Sequence, residues 1–231
     1  MNILVICSHG DDAVLGMGGT IHKFAEKDYN KIYVLILSEL GYGSRRKRTV
    51  ALSAQNGEWE KEVEKAHQIL GVKDTFFWGG FPDNEFDKVS LLSIVKIIEK
   101  VKNNIKPEIV FTHKANCLNI DHKMSYEATI VATRPIPNEC VKAVYTYEVL
   151  SSSEWNFGAD DIPNTYQELS EENLDKKIEA MKIFESELRE FPHPRSLSGI
   201  QLLAHKRGME SGIYYAEAFK LIRSLKCVNS K

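Results

Sequence analysis

The chain alternates between short apolar runs and longer stretches in which apolar positions recur every three or four residues. Residues 2–7 and 32–37 are nearly continuous apolar runs, which is typical of strands buried on both faces. Between them, residues 14–27 place apolar side chains at helical spacing. This succession predicts a β-α-β unit whose strands are parallel, because the connection between them is a helix.

The same alternation continues along the chain. Further strands are predicted over 74–78, 108–113 and 141–149, and helices over 58–70, 91–103 and 121–133. Beyond residue 150 the pattern predicts largely helical structure over 173–188 and 199–225. The alternation over the first 150 residues indicates an α/β fold of the doubly wound, Rossmann-like kind. We expect three layers, α/β/α, around a mostly parallel sheet.

Length and composition narrow the class of protein. The chain has 231 residues and 43% of them are hydrophobic, enough for one substantial core, so residues 1–231 are predicted to form a single domain. The 30 basic and 32 acidic residues leave a formal net charge of -2. This balance gives no reason to expect a nucleic-acid partner.

The sequence also sets expectations about location and redox state. No apolar run approaches the ~20 residues that a membrane-spanning helix needs, and the first residues lack the features of a secretory signal. We therefore expect a cytoplasmic protein with no membrane span, and leave open whether it forms a homo-oligomer. The four cysteines are widely scattered, which predicts free thiols.

Two predicted strands each end in a cluster of histidine and aspartate. His9, Asp11 and Asp12 follow the first strand, and His122 follows the strand over 108–113. The carboxyl ends of parallel strands meet at one edge of a sheet, where ligands bind in this fold class. His9, Asp12 and His122 would there form a three-ligand site with one position open for water, which suits Zn²⁺ or another divalent metal.

Simpler interpretations of these segments exist. Asp11 and Asp12 could serve only as caps of the following helix, and His122 could lie in an ordinary capped helix start. The coincidence of two such clusters at two strand ends favours the metal site. The glycines over 16–19 do not form the G-x-G-x-x-G pattern of a dinucleotide site, so close packing of a helix explains them better. There is no G-x-S-x-G elbow for a serine nucleophile, and Cys7 lies in an apolar strand.

These segments resemble the conserved motifs of a known family. Ser-His-Gly-Asp-Asp at 8–12, followed by Leu-Gly-Met-Gly-Gly-Thr-Ile at 15–21, is similar to the opening motif of the PIG-L/LmbE-like zinc-dependent N-deacetylases, which include GlcNAc-PI de-N-acetylase-like proteins. Asn-Ile-Asp-His at 119–122 resembles their second motif. Segments at 192–196, 207–208 and 215–219 look like a branch found in bacterial sugar metabolism.

The resemblance implies a reaction and roles for individual residues. It implies a zinc hydrolase that removes an N-acetyl group from an amino sugar or sugar conjugate, nucleotide-linked ones included. His9, Asp12 and His122 would hold the metal, and Asp11 would be the general base. A metal lowers the pKa of its water and polarises the amide carbonyl, while a neighbouring carboxylate takes the proton of that water, so the chemistry agrees with the motif.

The chain also departs from the family pattern. Gly10 replaces a proline and Ala13 a glutamate, Cys117 stands where an acidic residue is expected, and Asn119 replaces the first histidine of an H-x-x-H motif. Asparagine donates a hydrogen bond but cannot supply a proton. His193 is therefore a second catalytic candidate, as a histidine able to carry a proton near neutral pH.

The resemblance implies that the substrate is a small N-acylated sugar. Candidate substrate-binding residues are Arg48, within the basic stretch 45–48, and Asn84, Asn119 and Arg195. Two other functions stay open: a related amidase or deformylase that removes a different acyl group, and a catalytically impaired sugar-binding protein. Retention of Asp11 together with the three candidate ligands argues against the last, since a site without activity has no need of a base.

Overall fold

A computed structural model of the protein describes residues 1–39, 58–157 and 162–226. Seven strands form one sheet in the order β3-β2-β1-β4-β5-β7-β6. Strands β1 to β5 run parallel, and β7 is antiparallel to both of its neighbours. The strands are β1 Asn2–Cys7, β2 Lys31–Ser38, β3 Asp74–Phe81, β4 Ile109–His113, β5 Ala143–Tyr147, β6 Thr165–Glu168 and β7 Ala216–Ser224.

Helices cover both faces of this sheet. They are α1 Asp12–Ala25, α2 Glu58–Ile69, α3 Leu91–Ile105, α4 Ile120–Ala132, α5 Glu171–Ile183 and α6 Leu197–Ser211, with a short 3₁₀ helix at Phe86–Lys88. Alternate residues of β1 enter two separate cores. Ile3 and Val5 pack with α1, α2, α5 and α6, while Leu4 and Ile6 pack with α3 and α4. The predicted three-layer α/β/α fold with a mostly parallel sheet is therefore confirmed.

The prediction of helix over 199–225 is wrong in its second half. Helix α6 ends at Ser211, where Gly212 takes the left-handed conformation with φ 75° and closes the helix. The chain then forms β7, whose first four residues are buried between β5 and β6. Sequence periodicity alone did not find β6, and it extended α5 five residues too far. Ala, Glu, Lys and Leu dominate β7 and favour helix locally, so tertiary pairing decides its conformation.

Helix α1 is not regular along its length. Met17 has φ −153° and ψ 26°, which divides the helix into two segments. The second segment begins with backbone N–H groups of Gly19 and Thr20, and both donate to the buried Glu217 carboxylate, at 3.1 and 2.7 Å. Lys177 donates to the same carboxylate at 2.6 Å. A carboxylate from β7 thus caps the second half of α1 and ties it to α5.

The glycines of α1 allow close packing, as predicted. A Cβ at Gly16 would overlap the ring of Tyr147 and lie 3.1 Å from the Glu148 carbonyl oxygen. No helix in the described ranges is both long and apolar enough to cross a bilayer. Cys7, Cys117 and Cys140 are free thiols, and Cys227 lies outside the described residues.

Stability should fall in mild acid because of His67. This residue of α2 is 1% exposed, and burial lowers its pKa from 6.5 to about 4. The unfolded chain therefore binds a proton at His67 that the folded protein does not bind between these values. The stabilisation that comes from neutral His67 is fully present above pH 6.5. As the pH falls toward 4 it is lost, and the free energy of unfolding decreases by roughly 3 kcal/mol. Chemical denaturation of wild type and His67→Gln at pH 7 and pH 4.5 measures this decrease, which should be larger in wild type. An equal decrease in the two proteins would contradict the role of His67.

Candidate active site

Three side chains that can bind a metal converge at the carboxyl edge of the sheet. His9 lies in the loop after β1, Asp12 begins α1, and His122 lies in the first turn of α4. His9 Nδ1 is 3.3 Å from Asp12 Oδ2 and 3.3 Å from His122 Nε2, and His122 Nε2 is 3.3 Å from Asp12 Oδ1. The ligand atoms all lie within 4.8 Å of one another. The structure thus brings together the three side chains predicted from the two motifs.

Neither aspartate of the first loop acts as a simple helix cap. Asp11 occupies the N-cap position of α1 but makes no side-chain capping hydrogen bond. Asp12 Oδ2 instead accepts from the backbone N–H of His9, at 2.6 Å. In α4 the cap is Asn119, whose Oδ1 accepts from the backbone N–H groups of Asp121 and His122. Capping therefore does not account for the side chains of Asp11 and Asp12, whereas His122 does lie in a helix start that Asn119 caps, and its role as a metal ligand stays a prediction.

Acidic side chains orient the ring of His9. Its Nε2 lies 2.9 Å from Asp83 Oδ1 and 3.0 Å from Asp121 Oδ2. Asp121 is itself fixed by the backbone N–H groups of Asn84 and Phe86, at 2.6 and 3.0 Å. Burial opposes charge on His9, but Asp12, Asp121 and Asp83 outweigh it and raise its pKa well above the usual value. The surrounding carboxylates therefore favour a positive charge at this position.

The centre of the cluster fits a divalent cation. Asp12 is fully buried, and in the described part of the chain its Oδ1 has no hydrogen-bond partner although it faces His122. Burial raises the pKa of this carboxyl, but His122, His113 and His9 outweigh the effect and hold it well below the usual range. A buried, ionised oxygen without a donor is costly unless a cation lies beside it. Two imidazole nitrogens and one carboxylate oxygen are the donor set that catalytic zinc uses.

Asp11 forms part of the wall of the cavity beside this cluster. Its Oδ2 accepts from Arg195 Nη1 at 3.0 Å, and the same Nη1 donates to Glu187 at 3.0 Å. Arg195 Nε donates to Ser151 Oγ at 2.6 Å. The cavity measures about 120 Å³, and its described lining consists of His9, Gly10, Asp11, Ser38, Trp59, Asp83, Asn84, Asn119, Phe184, Glu187 and Arg195. Asp11 and the candidate ligand His9 therefore face the same space.

Three of the four predicted substrate-binding residues lie in the described structure, and the fourth does not. Asn84, Asn119 and Arg195 all line the cavity, and Asn119 Nδ2 lies 3.4 Å from Asn84 Oδ1. Because the capping role occupies Asn119 Oδ1, its amide NH₂ group is turned toward Asn84 and is able to donate. Arg48 and the rest of the basic stretch lie outside the described residues.

His193 is not among the residues that line the cavity in the described part of the chain. Its ring packs edge-on against Trp155 at 5.7 Å, and its Nδ1 accepts from the backbone N–H of Arg195 at 3.1 Å. Burial and the charges of Arg189 and Arg195 lower the pKa of His193. A smaller fraction of the His193 rings is then protonated at neutral pH. The catalytic role of His193 stays a prediction.

Several residues around the cluster were not found from the sequence. His113 at the end of β4 stacks on His122, with ring centroids 3.9 Å apart, and its Nε2 accepts from the backbone N–H of Ser8. Its place at a strand end was a usable signal. Cys117, an unexplained departure in the sequence, has its Sγ 3.1 Å from His122 Nδ1. Burial opposes ionisation of Cys117, but His122 and Ser152 lower its pKa to about 7. Nothing in the local sequence pointed to Glu187.

Gly10 is required by a neighbouring tryptophan. A Cβ at this position would overlap the ring of Trp59 and lie 2.6 Å from Val63 Cγ2. Gly10→Ala should therefore lower the free energy of unfolding by about 1–3 kcal/mol, measured by chemical denaturation. The double variant Gly10→Ala/Trp59→Leu should lose less free energy of unfolding than the two single variants lose in sum. Additive losses would mean that the tryptophan does not limit this position.

Comparisons with known proteins identify a family and relatives for this chain. The family model described as PIG-L, GlcNAc-PI de-N-acetylase, matches residues 4–133. A Bacillus anthracis protein described as a probable N-acetyl-alpha-D-glucosaminyl L-malate deacetylase 2 is 24% identical over 188 residues, 80% of this chain and 81% of that protein.

Two solved structures share the fold. The N,N'-diacetylchitobiose deacetylase from Pyrococcus horikoshii superposes with a TM-score of 0.78 at 19% identity, over 96% of this chain and 84% of its own. GalB, the 4-carboxy-2-hydroxymuconate hydratase from Pseudomonas putida, superposes with a TM-score of 0.72 at 22% identity, over 100% and 99%. A deacetylase and a hydratase thus both use this fold, and the fold alone does not decide the reaction. The family match covers more than half of the chain and contains both motifs of the site, so the protein belongs to the PIG-L family, whose model is described as GlcNAc-PI de-N-acetylase.

Proposed function

We propose that the protein is a metal-dependent hydrolase that removes the N-acetyl group from an amino sugar or a sugar conjugate. The observation that carries this proposal is the convergence of His9, Asp12 and His122 within 4.8 Å beside the cavity that Asp11 lines. The family description and the two deacetylase relatives support the same reaction.

The metal would be held by His9, Asp12 and His122. The mixture of two nitrogens and one oxygen favours Zn²⁺ over Mg²⁺ or Ca²⁺, which prefer all-oxygen sites. When bound, zinc supplies Lewis acidity, which lowers the pKa of a water molecule and polarises an amide carbonyl. Asp83 and Asp121 would keep the ring of His9 in place, because both contact the ring nitrogen opposite to the one that faces Asp12.

Asp11 would carry protons in this reaction. It would take a proton from the attacking water and return it to the amine that leaves. Arg195 orients the carboxylate by holding one of its oxygens at 3.0 Å. The amide NH₂ of Asn119 would donate a hydrogen bond to the carbonyl oxygen as negative charge develops there, although it cannot supply a proton.

The substrate would place its acyl group in the cavity and its sugar toward the rim. A space of about 120 Å³ is large enough for a small acyl group. Asn84 and Arg195 would bind polar groups of the sugar, while Asn119 binds the acyl carbonyl, and Arg48 stays a candidate for an anionic group such as the phosphate of a nucleotide-linked sugar. An N-acetylglucosaminyl conjugate is the substrate class that the relatives' names favour.

Release of acetate tests this proposal. Zinc-loaded protein is incubated with N-acetylglucosaminyl L-malate, N,N'-diacetylchitobiose and N-acetylglucosamine, and acetate and free amine are quantified with and without a chelator. We expect acetate and amine in equal amounts, loss of both on chelation, and recovery with added zinc. Faster release of formate from N-formyl analogues would favour the deformylase alternative. No hydrolysis of any amide by zinc-loaded protein would contradict the proposal.

A further inference from the structure

Cys117 is buried beside the candidate metal ligand His122. It lies in the segment between β4 and α4, it is 1% exposed, and its Sγ is 3.1 Å from His122 Nδ1. The other ring nitrogen, His122 Nε2, faces Asp12 and His9. Cys117 therefore contacts His122 on the side opposite to the metal cluster.

The direction of the hydrogen bonds around Cys117 follows from a backbone carbonyl. A carbonyl oxygen can only accept, so the Ser152 hydroxyl donates its one hydrogen to the oxygen of Val149, at 3.1 Å. Ser152 Oγ can then only accept from the Cys117 thiol, at 3.3 Å. The thiol has given its one hydrogen to Ser152, so the contact with His122 requires the hydrogen to lie on His122 Nδ1 and the sulfur to accept it.

The hydroxyl of Ser153 also supports the sulfur of Cys117 as a hydrogen-bond acceptor. The backbone N–H of Val149 donates to Ser153 Oγ at 2.8 Å, and that oxygen lies 3.9 Å from Cys117 Sγ. Its hydroxyl hydrogen can therefore point toward the sulfur. The plane of the His122 ring is held by stacking on His113, with an interplanar angle of 15°. Position and tautomer of His122 are thus determined together.

We propose that Cys117 and Ser152 are positioning residues of the metal centre, which hold His122 as the Nδ1–H tautomer and leave the lone pair of Nε2 for the cation. This inference rests on the proposed function. The hydrogen-bond chain runs from His122 through Cys117 and Ser152 to the carbonyl of Val149. A thiol in place of the expected acidic residue keeps the direction of the hydrogen bond, because sulfur and carboxylate oxygen both accept from Nδ1–H. Partners of this kind fix the orientation of a metal-binding histidine and tune its affinity for the metal.

Two measurements test the proposal independently of catalysis. Long-range ¹H–¹⁵N NMR of the metal-free protein reports the tautomer of His122, and competition with a chromophoric chelator reports zinc affinity. We expect the Nδ1–H tautomer in wild type and a mixture in Cys117→Val, with about 10- to 100-fold weaker zinc binding. Cys117→Ser keeps a donor and an acceptor and should restore most of the affinity. Ser152→Ala should shift the tautomer in the same direction as Cys117→Val.

Cys140→Val is the matched control, because Cys140 is a partly buried cysteine that bonds only with Glu139 in the described structure. It should leave both the tautomer and the zinc affinity unchanged. If Cys117→Val and Ser152→Ala both retain the wild-type tautomer and zinc affinity, the positioning role is refuted. If wild type binds no zinc, the proposed metal-dependent function fails, whereas the tautomer in the metal-free protein still decides whether the hydrogen-bond chain exists. Thermal unfolding of each variant identifies one that does not fold, in which case the remaining substitutions decide.

Discussion

Asp11→Asn is expected to retain its metal and to lose turnover by about 10²- to 10⁴-fold, the usual contribution of a general base. Asparagine has nearly the same shape and can still accept from Arg195, which donates to Asp11 at 3.0 Å in the wild type. None of the three candidate ligand atoms belongs to Asp11. The substitution therefore removes the ability to take a proton and leaves the metal cluster in place. Acetate release and zinc content are measured on the same preparation.

Glu187→Gln is the matched control for this prediction. Glu187 shares Arg195 with Asp11, at the same distance of 3.0 Å, and it also lines the cavity. It does not belong to the cluster of candidate ligands, so a much smaller loss of turnover is expected. Full turnover in Asp11→Asn would refute its role as the base. Equal losses in the two variants would mean that the charge balance at Arg195, and not proton transfer by Asp11, limits the reaction.

Glu217→Ala is expected to destabilise the fold by about 3–5 kcal/mol. Glu217 is 5% exposed and accepts from Lys177 and from the backbone of α1 after its break at Met17. Its removal leaves the buried ammonium of Lys177 and two backbone N–H groups without their carboxylate. Leaving one charge of a buried pair uncompensated costs far more than removing both. Chemical denaturation at pH 7 measures the loss.

The double variant Glu217→Ala/Lys177→Met separates charge from packing. It removes the uncompensated ammonium, so it should recover part of the stability lost in Glu217→Ala, although the N–H groups of Gly19 and Thr20 remain uncapped. A double variant as unstable as the sum of the single variants would contradict a coupling between Glu217 and Lys177.

Local pattern was sufficient for the parallel part of the fold. Strands β1 and β2 and helix α1 were predicted to within two residues at each end, because buried parallel strands are continuous apolar runs. Strand β7 was not predicted, because its conformation depends on pairing with β5 and β6. The glycine at 212 was the one local signal that the preceding helix should end there. That residues 1–231 form a single domain stays a prediction.

The candidate metal ligands could be predicted because their residue types and their places in the sheet both pointed to one site. His9, Asp12 and His122 could be assembled because each follows a strand whose end lies at the same edge of the sheet. Arg195 is far from them in sequence and was found through the family motif. The contacts of Arg195 with Asp11 and Glu187, and the chain from His122 to Ser152, connect separate loops, and no periodicity encodes such contacts.

Zinc content of wild type and Asp12→Ala, measured by elemental analysis after expression in zinc-replete medium, tests the central claim most directly. Asp12 contacts both other candidate ligands, His9 and His122, and its Oδ1 has no hydrogen-bond partner among the described residues. We predict about one zinc per chain in wild type and in Asp11→Asn, and none in a folded Asp12→Ala. Equal zinc content in wild type and folded Asp12→Ala, or no zinc in either, would contradict the account.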